Sequence, residues 1–567
     1  MQGTPLANGT EKHADTDWNT IDWHQEELRV RNLRQRIFRA TQADDWKRVR
    51  SLQKLMLRSR ANTLVSVRRV AQLNAGKKTP GVDKVLLKTP AARGRMVDLL
   101  ALHRPWTAQP ARRVYISKAN GKQRPLGIPV MLDRCVQAMV KNALEPSWEA
   151  RFERCSYGFR PGRGCQDAIG RIYRIASPKN RKKWVLDADI KGAFDNISHE
   201  YLLKIIGRVP GCELIKQWLK AGYVDKGVFY ETEAGTPQGG VISPLLANIA
   251  LHGMEEALEV TYRKNGQLKS KRALVRYADD FCVFCESQED AKRAKEILTV
   301  WLSERGLTLS PEKTKIVHLT EGFNFLGFNI RHYTVSNTRT GWKLLTKPSK
   351  EAVQKHRERI KQEWDAVQGW NVQKILWKLN PIIRGWANYY RTGVAKETFN
   401  KLDNWMFHKE VRHVKRTHPH KPKKWHQAKY WGKLNVDRQD LWVFGDKQTG
   451  LHLLKYRWFP IERHILVKGT SSPDDPTLKD YWQQRNAIHV KDLSPSRQKI
   501  ARKQHGICPE CRNTLFNDEE LHVHHRIPKA QGGKNDYGNL VLVHFFCHQK
   551  IHAGKDVKDE LSEVGSS

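Results

Sequence analysis

Two segments of this chain place acids where a β-sheet would have to hold them together. In Trp184-Val-Leu-Asp-Ala-Asp-Ile190, strand alternation puts Leu186, Ala188 and Ile190 on one face and Asp187 and Asp189 on the other. Carboxylates sharing a face repel one another unless something cationic lies between or beyond them. Taken alone, the segment reads equally as a strand end at which an Asp opens a turn. In Leu274-Val-Arg-Tyr-Ala-Asp-Asp-Phe-Cys-Val-Phe284, Asp279 and Asp280 fall between two β-rich halves, at the tip of a hairpin. Adjacent Asp is also ordinary turn chemistry, but two such acid tips in one basic protein point further. Hard divalent cations take oxygen ligands, and Mg²⁺ is usually held by one or two carboxylates plus substrate phosphates. A pair of such ions about 3.5–4 Å apart serves in-line phosphoryl transfer. Mg²⁺-dependent phosphoryl transfer is therefore the chemistry these residues suggest.

A second constellation lies near the C-terminal end. Cys508-Pro-Glu-Cys511 and His544-Phe-Phe-Cys547 form two ligand pairs of equal gap, a four-ligand N/S set suited to structural Zn²⁺. Between and after them come His522, His524, His525, Asn539, His548 and His552. His548 and His552 are four apart, so a helix would present them on one face. A finger that only supports structure has no need of this second histidine set.

The elements that must position these groups sit in a chain of 567 residues with a net charge of +41. Such an excess implies a polyanionic partner, with nucleic acid first. Aromatic residues are plentiful enough for real cores, so the charge does not signal general disorder. Nine cysteines are too few for a disulfide scaffold at this length. No run approaches the ~18 apolar residues that span a bilayer, and the polar, acid-bearing opening does not read as a secretory or transit segment. Residues 24–75 read as Arg-rich helix, closed by the turn Thr79-Pro-Gly-Val-Asp83. From 112 to about 330, β-rich runs alternate with helices, an α+β unit with a central sheet. Residues 350–415 read as helical, with Asn380-Pro381 as a cap and first turn ahead of Ile383, Trp386 and Tyr390. Between 401 and 470, 16 Lys/Arg stand against 6 Asp/Glu and five Trp, and Val411 to Lys424 carries six cations and no acid.

Tyr277-Ala-Asp-Asp280 resembles the Tyr-X-Asp-Asp motif of reverse transcriptases. Asp189-Ile-Lys-Gly-Ala-Phe-Asp-Asn-Ile197 is similar to their first catalytic strand, and Thr236-Pro-Gln-Gly-Gly-Val-Ile-Ser-Pro-Leu-Leu246 to the Pro-Gln-Gly motif between them. Gly306 to Lys315 and Phe323-Asn-Phe-Leu-Gly327 complete the series in order. The resemblance implies a right-hand polymerase in which Asp189 and Asp279 hold Mg²⁺ and Asp280 supports them. It implies that Phe194 abuts C2′ of the incoming deoxynucleotide, where a bulky ring leaves no room for a 2′-hydroxyl; on its own, Phe194 reads as a core residue. Gln238 would lie under the nucleotide, and Lys118 and Arg124 would grip its triphosphate. Lys313 would give a proton to pyrophosphate, with Lys315 an equally near alternative.

The Cys/His module resembles the HNH (ββα-metal) nucleases. That implies His525 as the base that activates water, Asn539 as the residue that braces the two-stranded part and orients that base, and His524, His548 and His552 as ligands of a divalent catalytic metal. Reverse transcriptase upstream and HNH downstream resemble the proteins encoded within group II introns. Leu379-Asn-Pro-Ile-Ile-Arg-Gly-Trp-Ala-Asn-Tyr-Tyr-Arg391 looks like their maturase motif. By helical spacing Arg384 and Arg391, seven apart, would present cations on one face, and the resemblance implies that they meet intron RNA. Arg412, Lys415, Arg416, Lys421, Lys423 and Lys424 would meet DNA phosphates.

The expected architecture is a multi-domain α+β chain. It runs from an N-terminal helical extension (1–95) through fingers and palm (96–335), thumb (336–414) and a DNA-binding region (415–495) to an HNH domain (496–567). Expected partners are the intron RNA, target DNA, an RNA template with its DNA primer, and dNTPs, with no membrane. The expected setting is a reducing, bacterial-type cytoplasm, with an organelle as the alternative. Two rivals stay open: a stand-alone reverse transcriptase with an inert zinc module, and a splicing-only RNA-binding factor.

Overall fold

The computed structural model describes residues 16–102, 105–117, 121, 123–435, 437–517 and 519–552. The N-terminal region is helical because each segment opens on a side chain that accepts an orphan amide N–H. Asp22 caps Trp23–Gln42, Asp45 caps Trp46–Arg58, and Ser59 caps Arg60–Arg68. Arginines crowd these helices, yet a narrow apolar seam remains. Val30, Ile37, Val49, Leu52 and Met56 pack with Ala143 of the long helix Met131–Glu149.

The strands that build fingers and palm are β1 (Ala111–Ser117), β2 (Gln123–Ile128), β3 (Trp184–Asp189), β4 (Tyr223–Asp225), β5 (Val228–Tyr230), β6 (Ala273–Tyr277), β7 (Asp280–Cys285) and β8 (Lys315–His318). One sheet runs β2-β1-β4-β5 and the other β6-β7-β3-β8. The second sheet is buried on both faces, which is why β7 is apolar almost throughout rather than alternating. Leu186, Leu274, Phe281 and Val283 face the helix Gln288–Ser303 through Leu298 and Leu302. Val185, Val275, Cys282 and Phe284 face the helix Cys165–Ile175 through Ile169 and Ile172. Asp187 and Asp189 share parity with Val185, so the alternation read from the sequence holds.

Beyond the palm, a three-stranded sheet (Phe323–Phe325, Phe328–Thr334, Trp342–Pro348) leads into helices Lys350–Ala366, Val372–Tyr390 and Lys396–Thr417. The expectation that Asn380-Pro381 opens a helix is corrected here. The helix starts nine residues earlier, at an Asn371 cap, and runs through Pro381. Asn380 does not cap it, because its amide is taken up elsewhere: Nδ2 donates to the His452 carbonyl and Oδ1 accepts from Leu454 N, each at 2.9 Å. Phe399, Leu402 and Met406 share one core with Tyr430, Trp431, Phe444 and Tyr456. The boundary expected at 414/415 therefore falls inside a continuous apolar core.

The C-terminal module has its own small core, with Cys508, Leu515, Leu542 and Val543 fully or almost fully buried. It is seated on the N-terminal helices by a buried guanidinium. Arg68, 2% exposed, pairs with Glu27 at 2.7 Å and with Glu519 of the module at 3.1 Å, and lies over the Trp23 ring at 4.7 Å. Asn513 Nδ2 also donates to Glu27. Among the described residues, no helix is long and apolar enough to cross a membrane.

Candidate functional site

The palm acids are brought together by register. β3 and β7 run antiparallel with Asp189 opposite Asp280, and β6 turns into β7 through Ala278-Asp279, with Tyr277 opposite Asp280. Ala278 takes φ = +59°, a conformation that costs a residue with a Cβ. The surrounding backbone holds it there. Gly158 lies so close that a Cβ on it would sit 2.4 Å from Ala278 N. Tyr157 N donates to the Arg276 carbonyl and Arg276 N to the Cys155 carbonyl, both at 2.9 Å. Beneath the turn, the fully buried Arg276 donates to Asn248 Oδ1 at 3.1 Å, and Asn248 Nδ2 donates to the Gly158 carbonyl at 2.9 Å.

Three carboxylates thus converge where charge is costly. Burial raises Asp279 above the usual range. Burial, a hydrogen bond with Asp189 and repulsion from Asp279 push Asp280 up to about 8. Burial also pushes Asp187 up to about 7, against the opposing Lys315 of β8. Lys313, not Lys315, reaches Asp189, with Nζ 2.5 Å from Oδ2. A crowded, partly buried set of carboxylate oxygens is the donor set of a hard divalent cation, so the residues fit Mg²⁺.

Beside this cluster Phe194, 9% exposed, meets Phe159 edge-to-face at 6.0 Å between ring centroids. The Pro-Gln-Gly loop lies directly on the turn carrying Phe194, with Thr236 N donating to the Phe194 carbonyl at 2.6 Å. Gly235, at φ = +86°, permits the approach, since a Cβ there would lie 2.6 Å from the Asp195 backbone. Arg124 Nε donates to Gln238 Oε1 at 3.1 Å, and Gln238 Nε2 to Asp195 Oδ2 at 3.4 Å. A polar chain therefore links β2 of the fingers to the palm. Lys118 lies outside the described residues. Asp195 was not anticipated, although it directly follows Phe194.

In the C-terminal module, Cys508, Cys511, His544 and Cys547 are all buried, with ligand atoms within 4.8 Å of one another. Cys511 Sγ and Cys547 Sγ lie 3.3 and 3.8 Å from His544 Nδ1. Tetrahedral Zn²⁺ with Zn–S of about 2.3 Å and Zn–N of about 2.0 Å implies ligand separations of about 3.5–3.8 Å, so the set fits. His544 Nε2 faces the Thr514 carbonyl at 3.1 Å, which leaves Nδ1 for a metal.

The second histidine set sits on a ββα frame: strands Leu521–His525 and Leu540–His544, then a helix over 545–552. His524, His548 and His552 gather their ring nitrogens within 4.8 Å, and His548 Nε2 is 3.4 Å from His552 Nε2. Burial, then repulsion from His552 and His522, lowers the His548 pKa and favours the neutral ring a metal needs. His525 points away from this set and is held by Asn535, Nε2 to Oδ1 at 2.7 Å. Asn539 was expected to brace the two-stranded part and to orient His525, and its hydrogen bonds are of the first kind. It braces the connection between the two strands, accepting from Ile527 N and donating to the Ile527 and Lys534 carbonyls. Asn535 had no sequence signal beyond a Gly-rich turn.

Among the basic residues, Arg412, Lys415, Arg416, Lys421, Lys423 and Lys424 are all exposed, at the junction of helices Lys396–Thr417 and Lys423–Tyr430. The open cationic face expected from Arg384 and Arg391 does not form. Arg384 is half-buried, and Arg391, 8% exposed, is neutralised by Glu462 at 3.3 Å and Asp492 at 3.1 Å.

Four family models match this chain. They are reverse transcriptase (RNA-dependent DNA polymerase) over residues 116–330, the N-terminal domain of reverse transcriptase over 18–100, the group II intron maturase-specific domain over 353–431, and HNH endonuclease over 508–554. Protein YkfC of Escherichia coli (strain K12) is 36% identical over 315 residues, covering 49% of this chain and 82% of that protein. The group II intron-encoded protein LtrA of Lactococcus lactis subsp. cremoris is 35% identical over 284 residues, 39% of this chain and 47% of LtrA. The match thus spans about half the length of LtrA. A solved telomerase from Candida albicans aligns over 54% of this chain and 59% of its own at a TM-score of 0.31 and 13% identity; the fold assignment rests on the strand order and register above.

Proposed function

Because the chain belongs to the group II intron-encoded proteins that join reverse transcriptase, maturase and HNH endonuclease domains, we propose that it acts on its own intron in three ways. It assists splicing of the intron RNA, nicks one strand of a DNA target, and copies the intron RNA from the exposed 3′-hydroxyl. The observation that carries this reading is the juxtaposition of Asp189, Asp279 and Asp280 with the Phe194–Gln238–Arg124 side of the palm.

In this reading Asp189 and Asp279 hold Mg²⁺, which supplies Lewis-acid polarisation of phosphate oxygens, and Asp280 supports them. Arg124 and Lys118 bind the triphosphate, Gln238 sets the height of the base, and the Phe194 ring excludes a ribose 2′-hydroxyl. Lys313, already hydrogen-bonded at the carboxylate cluster, is the better placed of the two lysines to protonate the leaving pyrophosphate. In the HNH module the Cys₃His set holds structural Zn²⁺ and His524, His548 and His552 hold a divalent metal. His525 takes the proton from water, kept in orientation by Asn535, while Asn539 keeps the connecting loop in shape. Helices of the thumb face intron RNA through Arg384, and the exposed cations from Arg412 to Lys424 face target DNA. A reducing, cytoplasmic setting suits the unpaired thiols.

Separate loss of the activities tests the scheme. Asp279→Asn should abolish cDNA synthesis and leave splicing and nicking; His525→Ala should abolish nicking and leave cDNA synthesis on a supplied primer. Nicking that survives His525→Ala would return the module to an inert zinc finger. Polymerisation that survives Asp279→Asn would overturn the palm assignment.

A further inference from the structure

Where the thumb core continues into the basic region, a cavity of about 500 Å³ opens on one face of the helix Lys396–Thr417. Asn400, Asn404, Phe407 and Glu410 reach it at intervals of three and four, so one stripe of that helix supplies them all. Trp442 and Phe407 stand 5.9 Å apart at 89°, making an aromatic corner in which a flat ring can lie on one while its edge meets the other. Trp442 is 42% exposed, so its surface is open to a ligand.

One polar group here is deeply buried while the others line the open side of the cavity. Glu410 is 6% exposed, and its Oε2 accepts from Trp431 Nε1 at 2.9 Å, which fixes the carboxylate. Among the described residues no donor engages Oε1. The amides of Asn400 and Asn404 are exposed beside it, the ammonium of Lys455 lies in the field of Glu410, Asp403 and Asp440, and Asp403 accepts from Tyr456 N and Arg457 N. A fixed buried carboxylate, exposed amides, an aromatic corner and a cation at the mouth are the complement of a nucleobase with two adjacent N–H donors, a ring carbonyl and a phosphate.

We propose that this cavity binds an unpaired guanine of a nucleic-acid strand. Its N1–H and 2-amino group would donate to Glu410, its ring would lie against Trp442, its O6 or N7 would accept from Asn404, and its phosphate would meet Lys455. The proposal rests on reading this part of the chain as a nucleic-acid surface, and it adds base selection to what would otherwise be sequence-blind phosphate contact.

Fluorescence anisotropy with the full-length protein tests it. The probes are short thymidine tracts holding one central guanine, inosine or adenine, and uridine tracts holding the same bases. Inosine keeps N1–H and lacks the 2-amino group. Guanine should bind roughly tenfold tighter than inosine or adenine, with the DNA and RNA series showing which strand the pocket serves. Glu410→Gln, which retains an acceptor for Trp431, should bring guanine and inosine together. Asn404→Ala, at an exposed site that cannot unsettle the core, should weaken guanine and inosine together, since both carry the O6 and N7 acceptors, and leave the gap between them in place. Equal binding of all three bases by the wild type, or a guanine preference that survives Glu410→Gln, overturns the pocket while leaving the general surface intact. Failure to bind any tract, even at low salt, overturns the surface and the pocket together.

Discussion

Asp189 faces Asp280, not Asp279, across the β3–β7 ladder. The second Asp of the pair is therefore a strand residue locked in register, while the first rides in the turn and reaches in from the tip. Asp280, pushed up to about 8 by burial and its neighbours, keeps a proton that the unfolded chain releases near its ordinary value of 3.8. Its contribution to stability is thus lost as pH rises through that interval. Asp280→Asn should melt about a few degrees above the wild type at pH 8 in EDTA, and lose that advantage at pH 4, while cDNA synthesis falls. Equal melting at both pH values would sink this account.

Lys313 and Lys315 can be separated. Lys313 Nζ touches Asp189, whereas Lys315 stands opposite Asp187, two residues deeper along the strand. Lys313→Gln should lower kcat for nucleotide addition by about 10²-fold, the usual scale for a general acid. Lys315→Gln should leave kcat nearly unchanged. Single-turnover incorporation measures both, and the reverse ranking would reject the assignment.

Phe194 packs at the margin of the palm core and meets Phe159 edge-to-face. Phe194→Val should accept ribonucleotides about tenfold or more better relative to deoxynucleotides, with thermal stability reduced only modestly. Competitive incorporation of ATP and dATP reads the ratio. An unchanged ratio leaves Phe194 as packing.

Zinc content should divide the two Cys/His sets. Cys508→Ser should lose a tightly held ion by elemental analysis and unfold the module, because structural zinc supplies folding energy directly. His552→Ala should keep that ion. Cobalt in place of zinc should give the thiolate charge-transfer absorption of a sulfur-rich tetrahedral site.

His525, the base in the proposed nuclease, is held by a residue that motif reading passes over. Asn535→Ala should slow nicking while metal content and melting stay constant, since His525 is only partly buried and its Nε2 lies 2.7 Å from Asn535 Oδ1. Asn539→Ala should instead loosen the loop over 526–539 and lower the melting point. If Asn535→Ala nicks at the wild-type rate, the imidazole is oriented by other means.

Much of the palm was legible because its information is local. Strand alternation puts Asp187 and Asp189 on one face, and the adjacency of Asp279 and Asp280 ties a turn acid to the first residue of the returning strand. The ligand pairs of the zinc set are equally local, each within one loop or one strand end. What failed to read in advance depended on distant partners. Nothing near Asn380 announces that residues 452 and 454 will claim its amide and let the helix run through Pro381. Likewise, Arg391 looks like a free cation until the fold brings Glu462 and Asp492 to it. Spacing on a helix specifies a face, but only the tertiary fold decides whether that face meets water, acid or RNA.

The guanidinium of Arg68 has a consequence for how such a chain can be shortened. With one acid from its own helical region and one from the zinc module, it is a buried charge whose neutralisation is split between the two ends of the sequence. A chain trimmed ahead of Glu519 would keep the cation and lose half of its counter-charge. A lineage or a designer discarding the nuclease should therefore also replace Arg68, with an uncharged side chain such as Met. The residue then serves as a record of whether a polymerase of this kind has ever been adapted to work alone.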